Sequence, residues 1–313
     1  MNRAALALMI VVAATAALAA RQTFRARVDL VHFSVVVTDR SGAPITGLTA
    51  DDFEVVEEGK PQTITYFAEG DPKEGPTVSE VLPLHLGLAL DTSGSMEQDI
   101  HDVRTAIIKF LNANESAVDV TLVDFDTEVR ISRYDASQYA RLIERIRMRD
   151  PEGWTALYDA LGVYLNGAAG LTGQKILLVY TDGGDTRSVL TYPELLDLLK
   201  ASDVTLYVIG YLEHHRASAR HDQRMQLQRM AATTGGQAFF PTSLKELDRI
   251  YEAIQQEIAA RYSLGYVSTD TRTDGAWRKV GIRITRPDLR SAKVRTRSGY
   301  FAPYRETSSR LRR

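Results

Sequence analysis

The stretch Leu84-His85-Leu86-Gly87-Leu88-Ala89-Leu90-Asp91-Thr92-Ser93-Gly94-Ser95 decides how the chain is read. Its first seven residues are a nearly unbroken apolar run, as expected for a strand covered on both faces. An aspartate and two serines then follow at alternate positions. Alternation lets three oxygen-bearing side chains converge on one point, and Gly94 permits the tight backbone path this needs. Taken alone the pattern reads equally well as an ordinary turn with a helix cap.

Further along the chain, similar apolar runs recur at 176–180 and 204–209, while Val118 to Val123 is more mixed and is expected nearer a sheet edge. Helical periodicity fills the gaps. It appears at Ile100, Val103, Ile107 and Leu111, at Tyr139, Leu142, Ile143 and Ile146, and at Leu157, Leu161, Tyr164 and Ala168. Thr191 to Glu194 and Ser243 to Glu246 have capping-box spacing, the second opening a helix with Leu247, Ile250, Tyr251, Ile254 and Ile258 on its inner side. Strands alternating with helices predict an α/β domain over 83–262 with a doubly wound, mostly parallel sheet.

The flanks differ in class. Val31, Phe33, Val35 and Val37 recur at every second position, and Asp39-Arg40-Ser41-Gly42 reads as a turn. A strand pair is expected from Phe53–Val56 and Thr63–Phe67, joined across Glu57-Glu58-Gly59-Lys60. Residues 25–68 thus read as an N-terminal β segment and 69–82, rich in Gly, Pro and acids, as a linker. Beyond Arg261, Val280, Ile282 and Ile284 alternate after the turn Thr273-Asp274-Gly275. Neither flank is long enough to bury a core alone. The expected solution is that 263–304 pairs with 25–68 in one small β-sandwich into which the α/β domain is inserted. Residues 305–313 are basic and polar and are expected to be disordered.

Residues 1–20 begin Met1-Asn2-Arg3, continue as an apolar, alanine-rich run and end near Ala17-Leu18-Ala19, the pattern of a cleavable export signal. The alternative is an uncleaved membrane anchor. Either way the protein is expected outside the cytoplasm, periplasmic or extracellular. The chain has 313 residues, no cysteine and a formal net charge of -2. Disulfides therefore contribute nothing, and the overall field draws neither nucleic acid nor an anionic membrane.

Two further elements weigh against the bland reading of Asp91, Ser93 and Ser95. Gly153-Trp154-Thr155-Ala156-Leu157 opens a helix with a hydroxyl, and Tyr180-Thr181-Asp182-Gly183-Gly184-Asp185 places a carboxylate directly after another buried strand. All three pieces fall at strand exits or helix entries of one predicted sheet, where ligand sites of open α/β sheets form. Together they resemble the von Willebrand factor A domain and its metal-ion-dependent adhesion site, marked by D-x-S-x-S, a later Thr and a later Asp. The flanking β segments and Gly299-Tyr300-Phe301 are similar to those of bacterial exported proteins related to that family.

The resemblance implies that Ser93, Ser95 and Thr155 supply hydroxyl oxygens to a metal, with Asp91 and Asp182 acting mainly through water or hydrogen bonds. Hard oxygen donors suit Mg²⁺, with Mn²⁺ or Ca²⁺ as substitutes. Two carboxylates balance a divalent charge, and the family fills the open position with an Asp or Glu of its ligand. The implied partner is a protein offering a carboxylate, in adhesion or envelope assembly. Trp154 stands where the family often has a small residue. Its ring either roofs the site as a ligand contact or packs on the neighbouring loop.

Asp185 is expected to be solvated, and Asp124 and Asp126 to serve a turn. His214, His215 and His221 read as solvated loop rather than a metal cluster. No phosphate loop and no nucleophile elbow occurs. A metal-dependent hydrolase is the alternative from another class, but no base is offered by the predicted site loops. An envelope protein with a relic site is the third reading.

Overall fold

A computed structural model describes residues 30–70, 83–114, 117–213 and 216–304. The expected export signal, the basic tail at 305–313, His214, His215 and nearly all of the expected linker lie outside the described residues.

The apolar run 84–90 forms β5 (Leu84–Asp91), buried on both faces at the centre of a six-stranded sheet. Its neighbours are β8 (Gln174–Thr181) and β6 (Asp119–Phe125), both parallel to it. Beyond β8 lie β9 (Val204–Gly210) and the short β10 (Gln237–Phe239), again parallel. Residues 118–123 do lie nearer an edge than 84–90, one strand in from it. β6 is flanked outside by β7 (Val129–Asp135), which pairs with it antiparallel and forms the edge. β7 is half-exposed and carries Arg130 and Arg133 between its apolar residues, so it lacks the run that marks the buried strands.

Helices α1 (Ile100–Ala113), α2 (Tyr139–Met148) and α6 (Leu247–Ala259) bury their apolar stripes against one sheet face, around Leu86, Leu88 and Leu90. Helices α3 (Leu157–Ala168), α4 (Tyr192–Ala201) and α5 (Ala217–Thr233) cover the other, around Ala89, Leu177 and Val208. This is the expected doubly wound arrangement. The capping box at Thr191 and Glu194 opens α4. At α6 the acid of Glu246 instead accepts from Thr242, and 244–246 form a separate 3-10 turn. α5 places the exposed His221 on a helix rather than in a loop, because three buried residues, Leu227, Met230 and Ala231, dock its last turns.

Two antiparallel sheets of four strands flank this domain. One has the order β13 (Lys293–Arg295), β1 (Leu30–Thr38), β11 (Tyr262–Val267), β4 (Ile64–Glu69). The other has the order β14 (Gly299–Phe301), β12 (Trp277–Ile284), β2 (Phe53–Glu57), β3 (Lys60–Gln62). Their inner faces share one core built on Phe33, Val35, Phe53, Tyr262, Tyr266 and Tyr300, the sandwich packing of two sheets. One expected pairing fails. The hairpin turn at Glu58 and Gly59, both at positive φ, returns β2 to Lys60–Gln62. Residues 64–69 cross instead to the opposite sheet and pair with β11.

That crossing explains how the α/β domain is inserted. Its entry and exit are the paired strands β4 and β11, with Glu69 opposite Tyr262 and the Gly70 N–H donating to the Arg261 carbonyl at 2.8 Å. The junction is polar and buried. The Arg261 guanidinium donates to Ser34 Oγ at 3.1 Å, Thr205 Oγ1 at 3.0 Å and the Tyr207 hydroxyl at 2.7 Å. Tyr207 donates to Glu257, which is ion-paired with Arg295 at 2.5 Å, and Lys175 pairs with Asp203 at 2.6 Å. Among the described residues no helix is long and apolar enough to cross a membrane.

Candidate metal centre

The carboxyl ends of β5 and β8 deliver Asp91 and Thr181 side by side into a buried position. Asp91 is fully buried; its Oδ1 accepts the Ser93 N–H at 2.9 Å and its Oδ2 accepts the Thr181 hydroxyl at 2.6 Å. The first bond folds the chain back after Asp91, so that Ser93 Oγ and Ser95 Oγ come within 3.2 Å of each other at the start of the 3-10 turn Gly94–Gln98. Asp182, also buried, follows Thr181 directly.

Thr155 arrives from a separate loop, and backbone bonds tie that loop to both of the others. The Gly94 N–H donates to the Gly153 carbonyl at 3.2 Å and the Glu152 N–H to the Thr92 carbonyl at 2.9 Å. The Thr155 carbonyl accepts from the Thr186 and Arg187 N–H groups, while its own N–H donates to Thr186 Oγ1. A fourth loop, after β6, holds the set from below: the Ala156 N–H donates to the Asp126 carbonyl and the Trp154 N–H to Thr127 Oγ1. Gly153 sits at φ +73°, and a Cβ there would stand 2.3 Å from Thr127 Oγ1. Only glycine fits that close approach.

The electrostatics of the site are one-sided. Burial, followed by the charge of Asp182, pushes the Asp91 carboxyl up to about 7, against the opposing pull of the Ser93 and Thr181 hydrogen bonds. Two buried carboxylates beside each other are costly unless a positive charge joins them. Among the described residues no three His, Cys, Asp or Glu side chains are placed to hold an ion, so an ion here would depend on hydroxyl oxygens. The donor set fits that requirement: two acids, the paired hydroxyls of Ser93 and Ser95, and the Thr155 hydroxyl, all oxygen.

The structure thus gathers the Asp91, Ser93, Ser95, Thr155 and Asp182 loops at one pole. Trp154 is 65% exposed. Two expectations change, those for Asp185 and Asp124. Asp185 is not merely solvated; it accepts from the Tyr158 N–H at 2.9 Å and from the Arg187 and Ser188 N–H groups, fixing the Asp182 loop to the start of α3. Asp126 does serve its turn, accepting the Glu128 N–H at 2.8 Å. It is also paired with Arg130 and Arg149, whereas Asp124 serves no turn but lies within β6 and is paired with Arg145. Burial disfavours the charge on Asp126, but the bonds from Arg149, Glu128 and Arg130 outweigh it and leave its carboxyl below the usual range. Thr181 and Thr127 were not singled out in the sequence. The only local signal for Thr181 is a hydroxyl between a buried strand and the acid it helps to place.

A model of the von Willebrand factor type A domain matches residues 85–253. No curated protein matches the chain. Among solved structures, a mutant of the PilB minor pilin from Streptococcus sanguinis superposes with a TM-score of 0.47 at 14% identity, covering 59% of this chain and 63% of the pilin. The chain therefore spans less than two thirds of that pilin's length. An aerotolerance-related membrane protein from Bacteroides fragilis gives 0.45 at 18% identity, over 56% of this chain and 98% of its own. A von Willebrand factor type A protein from Catenulispora acidiphila gives 0.47 at 12% identity, over 91% of this chain and 76% of its own.

Proposed function

Because the chain belongs to the von Willebrand factor type A domain family, we propose that it is an exported, non-catalytic binding module that captures an acidic side chain of a partner protein through a divalent cation. Asp91, Ser93, Ser95, Thr155 and Asp182 would hold the ion, with Mg²⁺ the first choice among hard cations. A bound ion supplies positive charge and an open coordination position for a carboxylate of the partner.

The observation that carries this reading is the buried Asp91 beside Asp182, restrained by neutral donors only, with the Ser93 and Ser95 hydroxyls adjacent. The chain's own residues set the geometry. Thr181 and the Ser93 N–H orient Asp91, and the backbone ties between the loops keep the hydroxyls together. Trp154 at the rim would contact the partner. Export is supported by the apolar, alanine-rich start of the chain with its small-residue end.

The test is capture of partners from envelope extract on immobilised protein, in Mg²⁺ and in EDTA, with Asp91→Ala alongside. Proteins held in Mg²⁺ should be released by EDTA and absent from the variant. Partners retained equally in all three arms would exclude a metal-dependent role.

A further inference from the structure

A groove of about 680 Å³ runs along the outer side of α3, directly behind the loop that carries Trp154 and Thr155. Its floor is α3, through residues spaced three or four apart: Ala156, Asp159, Gly162, Val163 and Asn166. One wall begins at Thr127 and Val129, and the other is Leu190 with Leu198 and Ala201 of α4. The volume falls within the roughly 300–1,000 Å³ of pockets that hold ligands.

Three observations point to what would lie there. The first is continuity with the metal centre. Thr127, at one end of the groove, accepts the Trp154 N–H, and Ala156 follows Thr155 in the chain. The second is apolar exposure. Val163 and Leu198, 39% and 40% exposed, line the groove, and the exposed Trp154 and Val189 are bonded through their N–H groups to the lining residues Thr127 and Asp159. Exposed apolar side chains gathered in this way mark interaction surfaces, whereas isolated ones do not. The third is charge. The one ionisable lining residue, Asp159, is occupied inward, its two carboxylate oxygens accepting the Leu190 and Val189 N–H groups at 2.9 Å. The groove therefore offers aliphatic contact and presents no cation for a second acid.

We propose that this groove receives a short run of aliphatic side chains adjacent in the partner's sequence to the acidic residue bound at the metal centre. The inference rests on the metal-dependent reading and adds a sequence requirement to it. The partner is recognised as an acid followed or preceded by aliphatic residues, and a cluster of acids is not the preferred ligand.

The test uses the full chain in Mg²⁺ and two synthetic peptides, acetyl-Gly-Asp-Leu-Val-Leu-amide with its reversed sequence, and acetyl-Gly-Asp-Ser-Gly-Ser-amide with its own, each followed by calorimetry. One aliphatic peptide should bind about tenfold more tightly than its polar counterpart, the worth of one or two buried aliphatic side chains. Val163→Ser combined with Leu198→Ser should remove that preference while Mg²⁺ affinity stays unchanged and the melting temperature falls only modestly, since both residues are partly exposed. Asn166→Lys, which puts a charged chain into the groove from an exposed position, should do the same. Equal binding of aliphatic and polar peptides, including no binding of either, or a preference that survives both sets of substitutions, overturns the groove. Asp91→Ala separates the two readings: an aliphatic preference that persists there without Mg²⁺ keeps the groove and sinks the metal centre.

Discussion

The junction facing the sandwich and the Asp91 position at the opposite end of the six-stranded sheet bury charge in opposite ways, although Asp124 and Asp126 near Asp91 are themselves paired with arginines. At the end facing the sandwich, every buried charge discussed above has an opposite partner or several hydrogen bonds: Lys175 with Asp203, Glu257 with Arg295 and Tyr207, Arg261 with Ser34, Thr205 and Tyr207. At the carboxyl end Asp91 receives only neutral donors, and the charge that acts on it is a second carboxylate. Compensation marks a junction built to hold two parts of the chain together. Under the proposed function, the cost of burying Asp91 near a second acid would be offset by an incoming positive charge.

Substitutions at the junction should therefore cost stability and spare metal binding. Arg261→Ala leaves Ser34, Thr205 and Tyr207 each with a lost donor in a closed interior and is expected to destabilise by about 3 kcal/mol or more, three lost hydrogen bonds from a charged donor, read from urea denaturation. Its Mg²⁺ affinity should be unchanged. A simultaneous loss of both would mean that the two ends are not separate in function.

His32 tests the same junction by pH. Its imidazole is held down to about 4 by burial first and by Arg297 second, with Lys175 and Arg261 adding to the effect and Asp203 opposing it. The folded pKa lies below the unfolded value of 6.5, so the unfolded chain takes up the proton first. The contribution is fully present above about 6.5 and is lost as pH falls toward 4. About 2–3 kcal/mol should disappear across that window, and His32→Gln should flatten the slope in denaturation at pH 7, 5.5 and 4.5.

The smallest stability effect belongs to the rim. Trp154→Ala should change stability by less than about 0.5 kcal/mol, because the ring is exposed. It should still weaken capture of the partner. A large drop in melting temperature instead would assign the ring a packing role.

The central strands were legible because strands covered on both faces leave unbroken apolar runs, as in 84–90 and 176–180. β7 was not, since an edge strand with arginines between its apolar residues has no such run. The hairpin at 57–60 was visible from Glu58-Gly59, but alternation marks 64–69 as a strand without saying which sheet it joins. The five donor positions were readable through their place after strands and before a helix. Their supports were not: the partners of Asp126 and Asp124 come from β7, α2 and the loop after it, and Thr127 meets Trp154 across 27 residues. Such contacts depend on how the elements pack and leave no local pattern.

The contrast between the two ends is tested most directly by calorimetric titration of Mg²⁺ into the wild-type protein and into Asp91→Asn, a change that keeps the side chain's shape and removes its charge. The account predicts saturable binding by the wild type, at least a hundredfold weaker in Asp91→Asn, with the metal-free variant no less stable than the metal-free wild type. Equal Mg²⁺ affinity in the two proteins would contradict it.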